Sequence, residues 1–222
     1  IVSGKIYLSM NILFDLTATQ AMKGVKNHGG SEYAKAVFLM LAQRSNKYLT
    51  CFYNERLPLD NYILTIINKY SVTLLPAGTF KDLYQIIVNQ NVSVFYTALP
   101  ERKYLPILDI QSDNFKVILT IHGLRQLEVP TDKYEWFYCS TLKSKIMYFY
   151  KQIFPFIYKK TLMDYYRKLL KAYKIITVSE YSKESLLKFF PGHNPDKIEV
   201  LFSPIINYSE LSIGNELLLV PS

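Results

Sequence analysis

The chain has little cysteine, little histidine and no long uninterrupted apolar run. Its two cysteines, Cys51 and Cys139, match no CxxC, zinc or disulfide-framework spacing. They read as ordinary reduced thiols, which favours the cytosol. With histidine only at His28, His122 and His193, and no glycine-flanked serine elbow, neither a Ser-His-Asp triad nor a histidine metal site is supported. No apolar stretch approaches the roughly 18 to 20 residues that cross a bilayer, and no opening segment combines a basic head, an apolar middle and a small-residue cleavage site. The chain therefore reads as neither secreted nor integral to a membrane. RNP, helix-turn-helix and zinc-finger patterns are also missing, which leaves nucleic acid without a recognisable reader.

What is present suits a folded α/β domain. In 222 residues, half of them hydrophobic, a real core can form as one large domain or two small ones. "NILFDL" (11–16) reads as a short apolar strand, followed by a helix after Gly30 whose Ala34, Val37, Phe38 and Leu41 share a face. Ser31 is the expected N-cap of that helix, and Glu32 suits the positive end of its dipole. "YLTCFY" (48–53) is a β-branched and aromatic strand, followed by a helical segment near 59–69, the strand "SVTLLP", the helix "FKDLYQIIVNQ" and the strand "VSVFYT" (92–97). The pattern resumes with "KVILTIHGL" (116–124), with the strand and helix of 173–190, and with a strand at 197–202. Such alternation predicts a parallel sheet with helices on both faces. Met10 precedes the first strand, so residues 1–9 read either as an upstream extension or, through "KIYL", as a continuation of that strand.

In an open parallel sheet, ligands gather beyond the carboxyl ends of the strands. Gly29, Gly30, His122 and Ser179 all fall on that edge. The glycines would let an anion approach a helix N-terminus, or they simply make a tight turn. A dinucleotide site would want G-x-G-x-x-G hard against the strand, whereas here the third and sixth positions are Ser31 and Ala34; Glu55 after the second strand is the only imitation of a ribose-binding acid. His122 is either structural or placed for hydrogen bonding and proton transfer to a ligand.

The region 143–174 is compositionally unlike the rest. It carries nine Lys and Arg, including Lys151, Lys159, Lys160, Arg167, Lys168 and Lys171, against the single acid Asp164. Because the whole protein has a formal net charge of +8, this region holds the excess and the remainder is balanced. Cations interleaved with Tyr, Phe, Ile and Leu suit an anionic membrane surface. A solvated basic helix pair and a single-stranded nucleic-acid platform are the other readings.

Three stretches in series resemble one family. "GGSEYAKAVFLML", "VILTIHGLRQLEVP" and "KIITVSEYSKESLLKFFPGHNPDKIEVLFSPI" look like the amino-terminal half of a GT-B enzyme of the glycosyltransferase family 4 (group 1) type. The resemblance implies a Rossmann-like acceptor-side domain over 10–207, with 208–222 a linker into a second, donor-binding domain that the chain does not reach. It implies that Gly29, Gly30 and Ser31 approach the donor phosphate or sugar, that His122 acts at the transferred sugar, and that Gly123, Ser179 and Glu180 border the cleft. Gly123 stands where many relatives carry an acid. The implied reaction is retaining transfer from a nucleotide-sugar donor to a sugar or lipid-linked acceptor, with no cofactor and no essential metal. It would take place in the cytoplasm, peripherally on the inner face of the membrane. The competing classes are a nicotinamide-dependent Rossmann oxidoreductase and a non-catalytic basic membrane-binding module.

Overall fold

Short apolar runs become strands in this chain because helices cover both of their faces. The computed structural model describes residues 10–20, 29–139 and 141–203; the expectations for residues 1–9 and 208–222 lie outside them. The strands are β1 (Ile12–Asp15), β2 (Leu49–Tyr53), β3 (Thr73–Pro76), β4 (Val94–Thr97), β5 (Lys116–Ile121), β6 (Lys174–Thr177) and β7 (Ile198–Val200). They form one sheet in the order β3-β2-β1-β4-β5-β6-β7, and every adjacent pair is parallel. This is the Rossmann-like α/β fold expected from the alternating pattern. Its strand order reverses between β1 and β4, the kind of position where open α/β sheets bind ligands.

The period of two along β1 divides the core. Leu13 belongs to one cluster with Phe52, Phe95 and Leu119. Ile12 and Phe14 belong to the other, with Phe38, Ile63 and Ile66. The second cluster is built from α1 (Gly29–Ser45) and α2 (Asn61–Tyr70), whereas α3 (Phe80–Asn89), α6 (Pro155–Leu169) and α7 (Glu180–Phe189) supply the first. Two further helices, α4 (Arg125–Glu128) and α5 (Leu142–Ile153), lie between β5 and α6 in the chain.

Local signals set several boundaries. Asp60 caps α2 by accepting from the Tyr62 N–H at 2.8 Å. Thr79 and Asp82 form a reciprocal capping box at the start of α3. The first helix begins earlier than its sequence suggests. Gly29 opens α1, so Ser31 is a buried residue of its first turn and not the N-cap. Of the four positions expected on its core face, Ala34 and Phe38 are buried, while Val37 and Leu41 are half-exposed. The buried Lys35 extends the helix's contacts instead, pairing with Asp60 at 2.6 Å and Glu32 at 3.1 Å and so tying α1 to the start of α2.

Phe14 is the centre of the α1-side cluster, with its ring centroid 5.4 Å from Phe38 and 5.3 Å from Tyr96. A Phe14→Ala substitution is expected to destabilise the domain by about 3–5 kcal/mol, through lost apolar transfer and an unfilled cavity. Urea unfolding monitored by circular dichroism measures it, and a loss below about 1 kcal/mol would mean that the site collapses around the gap.

Candidate functional site

At the reversal point, the last residue of β1 is an acid. Asp15 is buried, and its two carboxylate oxygens face different segments, the turn after β1 and the end of β4. Oδ1 accepts from the Thr17 N–H at 2.9 Å and from the Thr17 hydroxyl at 2.6 Å; Oδ2 accepts from the Thr97 hydroxyl, at the end of β4, at 2.8 Å. Burial raises the Asp15 pKa from 3.8 to about 6, overcoming these hydrogen bonds, each of which favours the anion. The carboxyl therefore clamps the crossover from β1 to β4. Sequence reasoning missed it, although an acid closing the apolar run "NILFD" was the available signal.

His122 directly follows β5 and is half-buried. Its Nε2 lies 3.0 Å from the Ala98 carbonyl oxygen. A carbonyl only accepts, so in this contact Nε2 carries the hydrogen and donates it. Tyr33, on the first turns of α1, packs against the imidazole edge-on at 4.9 Å between centroids. The backbone is held as well, because the Ser182 hydroxyl of α7 donates to the His122 carbonyl at 3.1 Å.

That bond fixes the direction of a small network. Ser182 spends its one hydroxyl hydrogen on His122, so in the 3.0 Å contact between the Ser179 and Ser182 hydroxyls the donor is Ser179. The Ser179 oxygen also caps α7 by accepting from the Ser182 N–H at 3.1 Å. Ser179 thus acts on His122 through Ser182, which the sequence did not single out. Glu180 is exposed in the first turn of α7. The half-buried His193 lies well along the chain from this edge, and burial holds its pKa below the usual value.

Gly30 has a packing reason to be glycine. A Cβ there would come within 2.8 Å of Leu99 Cδ1 and 3.2 Å of Leu99 Cγ, whereas Gly29 opens onto free space. Leu99 follows β4 and helps to line a recess of about 170 Å³ with Pro100, His122, Gly123, Tyr165 and Tyr166. That is smaller than the roughly 300–1,000 Å³ of a pocket that encloses a whole small ligand. Two tyrosines of α6 seal its wall. The Tyr165 hydroxyl donates to the Pro100 carbonyl at 2.7 Å and the Tyr166 hydroxyl to the Gly123 carbonyl at 3.1 Å. Burial, with neighbouring Tyr165, Tyr158 and Glu128, raises the Tyr166 pKa to about 12, so it stays a donor at neutral pH.

The structure thus brings Gly30, His122, Gly123 and Ser179 to one edge, beside the start of α1 at Gly29. Of the basic residues expected to form a patch, Lys151 does not lie on the surface. Lys151 is buried, salt-bridged to Glu135 and set over the Tyr158 ring at 4.9 Å, so it is a structural cation and presents no charge to a membrane. Arg167 pairs with Asp164 and Lys171 with Asp109, each at 2.6 Å. Lys159 lies over Phe189 at 5.6 Å, and Lys160 and Lys168 are exposed. Glu55 is exposed on the loop after β2, and α1 starts well beyond the end of β1, which is not the tight strand-to-helix turn of a dinucleotide site. Among the described residues, no cluster of three or more His, Cys, Asp or Glu could hold a metal, and no helix is long and apolar enough to cross a membrane.

No protein-family model matches the chain, and no curated protein matches it. Solved structures with a similar fold include a glycosyltransferase from Rickettsia africae, at a TM-score of 0.47 and 15% identity over 88% of this chain and 43% of that one. HepE of Anabaena in complex with UDP and glucose gives 0.46 and 12% over 88% and 45%. The same protein in complex with UDP-glucose gives 0.45 and 12% over 88% and 44%. The chain spans less than half the length of each. At these identities and TM-scores the likeness does not bear on what this chain does.

Two outcomes are expected at this edge. Because Asp15 has its pKa raised on folding, the folded chain holds that proton more tightly than the unfolded one. Its contribution is full below about pH 4 and is lost as pH rises through about 6, on the order of 3 kcal/mol in all. Asp15→Asn keeps the acceptor for Thr17 and lets the Thr97 hydroxyl turn to accept, so it removes that dependence. Between about pH 4 and about pH 7.5, the variant should gain stability relative to wild type in urea titrations, and a constant difference would refute the buried acid. Ser179→Ala should cost about 1 kcal/mol through the lost cap, and chemical-shift changes at His122, read by NMR, would follow from its slackened link to Ser182.

Proposed function

We propose that this chain is the acceptor-side half of a GT-B glycosyltransferase of the family 4 type. It moves a sugar from a nucleotide-sugar donor to an acceptor hydroxyl, with retention of configuration, in bacterial cell-surface polysaccharide or lipopolysaccharide synthesis. The acceptor is a sugar or a lipid-linked sugar, met from the cytoplasmic side of the membrane. One observation carries the reading: the glycine-led start of α1 and the imidazole of His122, two features of the motifs that resemble the family, meet beside the β1/β4 reversal. They are joined by the Tyr33–His122 ring contact and by the packing of Gly30 on Leu99.

The chemistry asks two things of this domain. As the bond between sugar and diphosphate breaks, negative charge grows on the leaving phosphate, and the N–H groups at the start of a seventeen-residue helix present partial positive charge to it. The transferred sugar must also be held in register with the acceptor. His122 suits that task because Ala98, Tyr33 and Ser182 fix its ring and backbone from three elements, leaving little reorganisation during reaction. Tyr165 and Tyr166 shape the recess without titrating. The remaining groups toward the diphosphate and base are assigned to the second domain.

The test is transfer by the full-length protein, assayed across nucleotide sugars that differ in base and in sugar. His122→Ala is expected to lower kcat by about 10²–10³-fold, the effect of deleting one preorganised partner of the transition state, with the fold retained by circular dichroism and the unfolding midpoint lowered only by the loss of the Ala98 and Tyr33 contacts. Gly30→Ala should raise KM several-fold by pressing Leu99 into the recess. Turnover of a nicotinamide cofactor, or transfer indifferent to His122→Ala, would overturn the assignment.

A further inference from the structure

The hairpin of α5 and α6 is amphipathic in the wrong sense for a soluble surface. On α5, Leu142, Ile146, Phe149 and Ile153 follow i, i+4, i+7, i+11 spacing, which places them within a sector of roughly 60°. All four are exposed, at 76%, 61%, 53% and 65%. The residues turned toward the protein are the polar or mixed ones: Ser144, Tyr148 and Gln152 are half-buried and Lys151, diametrically opposite the stripe, is buried. At the elbow the stripe continues into Phe154 and then Phe156, which is 86% exposed and opens α6. A contiguous apolar surface of this kind marks a contact site.

Charge selects the occupant. Lys143 and Lys145 flank the stripe on its two sides, Lys160 follows on α6, and from residue 136 to residue 163 there is no Asp or Glu at all. A second copy of the chain would bring like charges together along both margins. An anionic bilayer satisfies both features, taking the apolar stripe into its headgroup boundary and the lysines into its surface potential. We propose that the α5–α6 hairpin is a membrane-docking element that seats Leu142, Ile146, Phe149, Ile153 and Phe156 in an anionic lipid surface. The insertion is apolar, and the cations only steer it; Lys151, Arg167 and Lys171 take no part.

The same hairpin reaches the candidate site. Tyr166 lies ten residues beyond Phe156 on α6, about 15 Å along the helix axis at 1.5 Å per residue, and it walls the recess beside His122. A lipid-linked acceptor would thus present its polar head about that distance from the docked elbow. This placement of the acceptor rests on the transferase reading, whereas the docking itself does not.

Flotation of the full-length protein with vesicles of phosphatidylcholine, with and without phosphatidylglycerol, tests the docking. Its readout is independent of any sugar nucleotide, so failure here and failure of the transferase reading are separate results. Wild type should partition onto the anionic vesicles. The triple variant Ile146→Ser, Phe149→Ser, Ile153→Ser should lose at least tenfold in partition with its circular dichroism retained, and Ile146→Ser with Ile153→Ser, which leaves the packing of Phe149 on Trp136 and Tyr148 intact, should also lose partition while keeping the wild-type unfolding midpoint. Lys143→Gln with Lys145→Gln should lose about fivefold per cation on anionic vesicles and nothing on neutral ones. Absence of wild-type binding, or binding unchanged by the serine variant, would overturn the proposal. So would a wild-type dimer that dissociates in the serine variant while neither binds vesicles, which would give the stripe to a second copy.

Discussion

Where the strand order reverses, a single buried carboxyl fastens the end of the β1–β4 pair whose backbone ladder joins the two halves of the sheet. Opposed strand directions or a tight hairpin cannot do this in a parallel sheet, because the chain leaves β1, builds β2 and β3 on one side, and returns to β1 only with β4. Asp15 fixes the meeting point by holding the turn after β1 with one oxygen and the end of β4 with the other. Everything on the ligand edge is placed relative to that junction. Leu99 and Ala98 follow β4 immediately, Gly30 rests on the first, and the imidazole of His122 is tied to the second. The cost of burying a carboxyl is accepted in exchange for a junction that no apolar residue could specify, since only an oriented acceptor pair can bind donors from two segments at once.

The site is therefore a set of interlocked backbones more than a set of free side chains. Ala98, Pro100, His122 and Gly123 each offer a carbonyl oxygen that a side chain from elsewhere engages, and the partners come from the loop after β5, from α6 and from α7. Loops that carry function on a Rossmann-like scaffold are usually the least ordered parts of it. Here two strand-end loops are fastened by hydroxyls and an imidazole.

Elements were legible in the sequence where local pattern and tertiary environment agree. Among the described residues each expected strand formed, because β-branched and aromatic runs between polar turns have no better burial available, and the capping chemistry of Thr79 and Asp82 is entirely local. The failures share a cause. Ser31 looks like an N-cap, yet the glycines before it are themselves helical, and the inward turn of Lys35 depends on Asp60 lying across from it. Lys151 looked like one more surface cation because its partner, Glu135, precedes the helix and is brought to it only by tertiary packing. Ser182 and the tyrosine pair were invisible for the same reason: their meaning lies in which carbonyl they reach, and no spacing encodes that. The position of His122 at a strand end was legible; the three groups that hold it were not.

The strand order also has a consequence in time. During synthesis the first three strands emerge together and can form one side of the sheet around β1, with α1 and α2 to cover it. The other edge of β1, however, has no partner until β4 appears, and the Asp15–Thr97 bond closes a separation of 82 residues. Until then a central strand is exposed as an edge, with its unpaired N–H and C=O groups available to any other chain. Long-range parallel pairing of this kind is intrinsically slow. The newborn chain thus passes through an interval in which its future centre is its most adhesive margin, and the pace of translation between β3 and β4 sets how long that interval lasts.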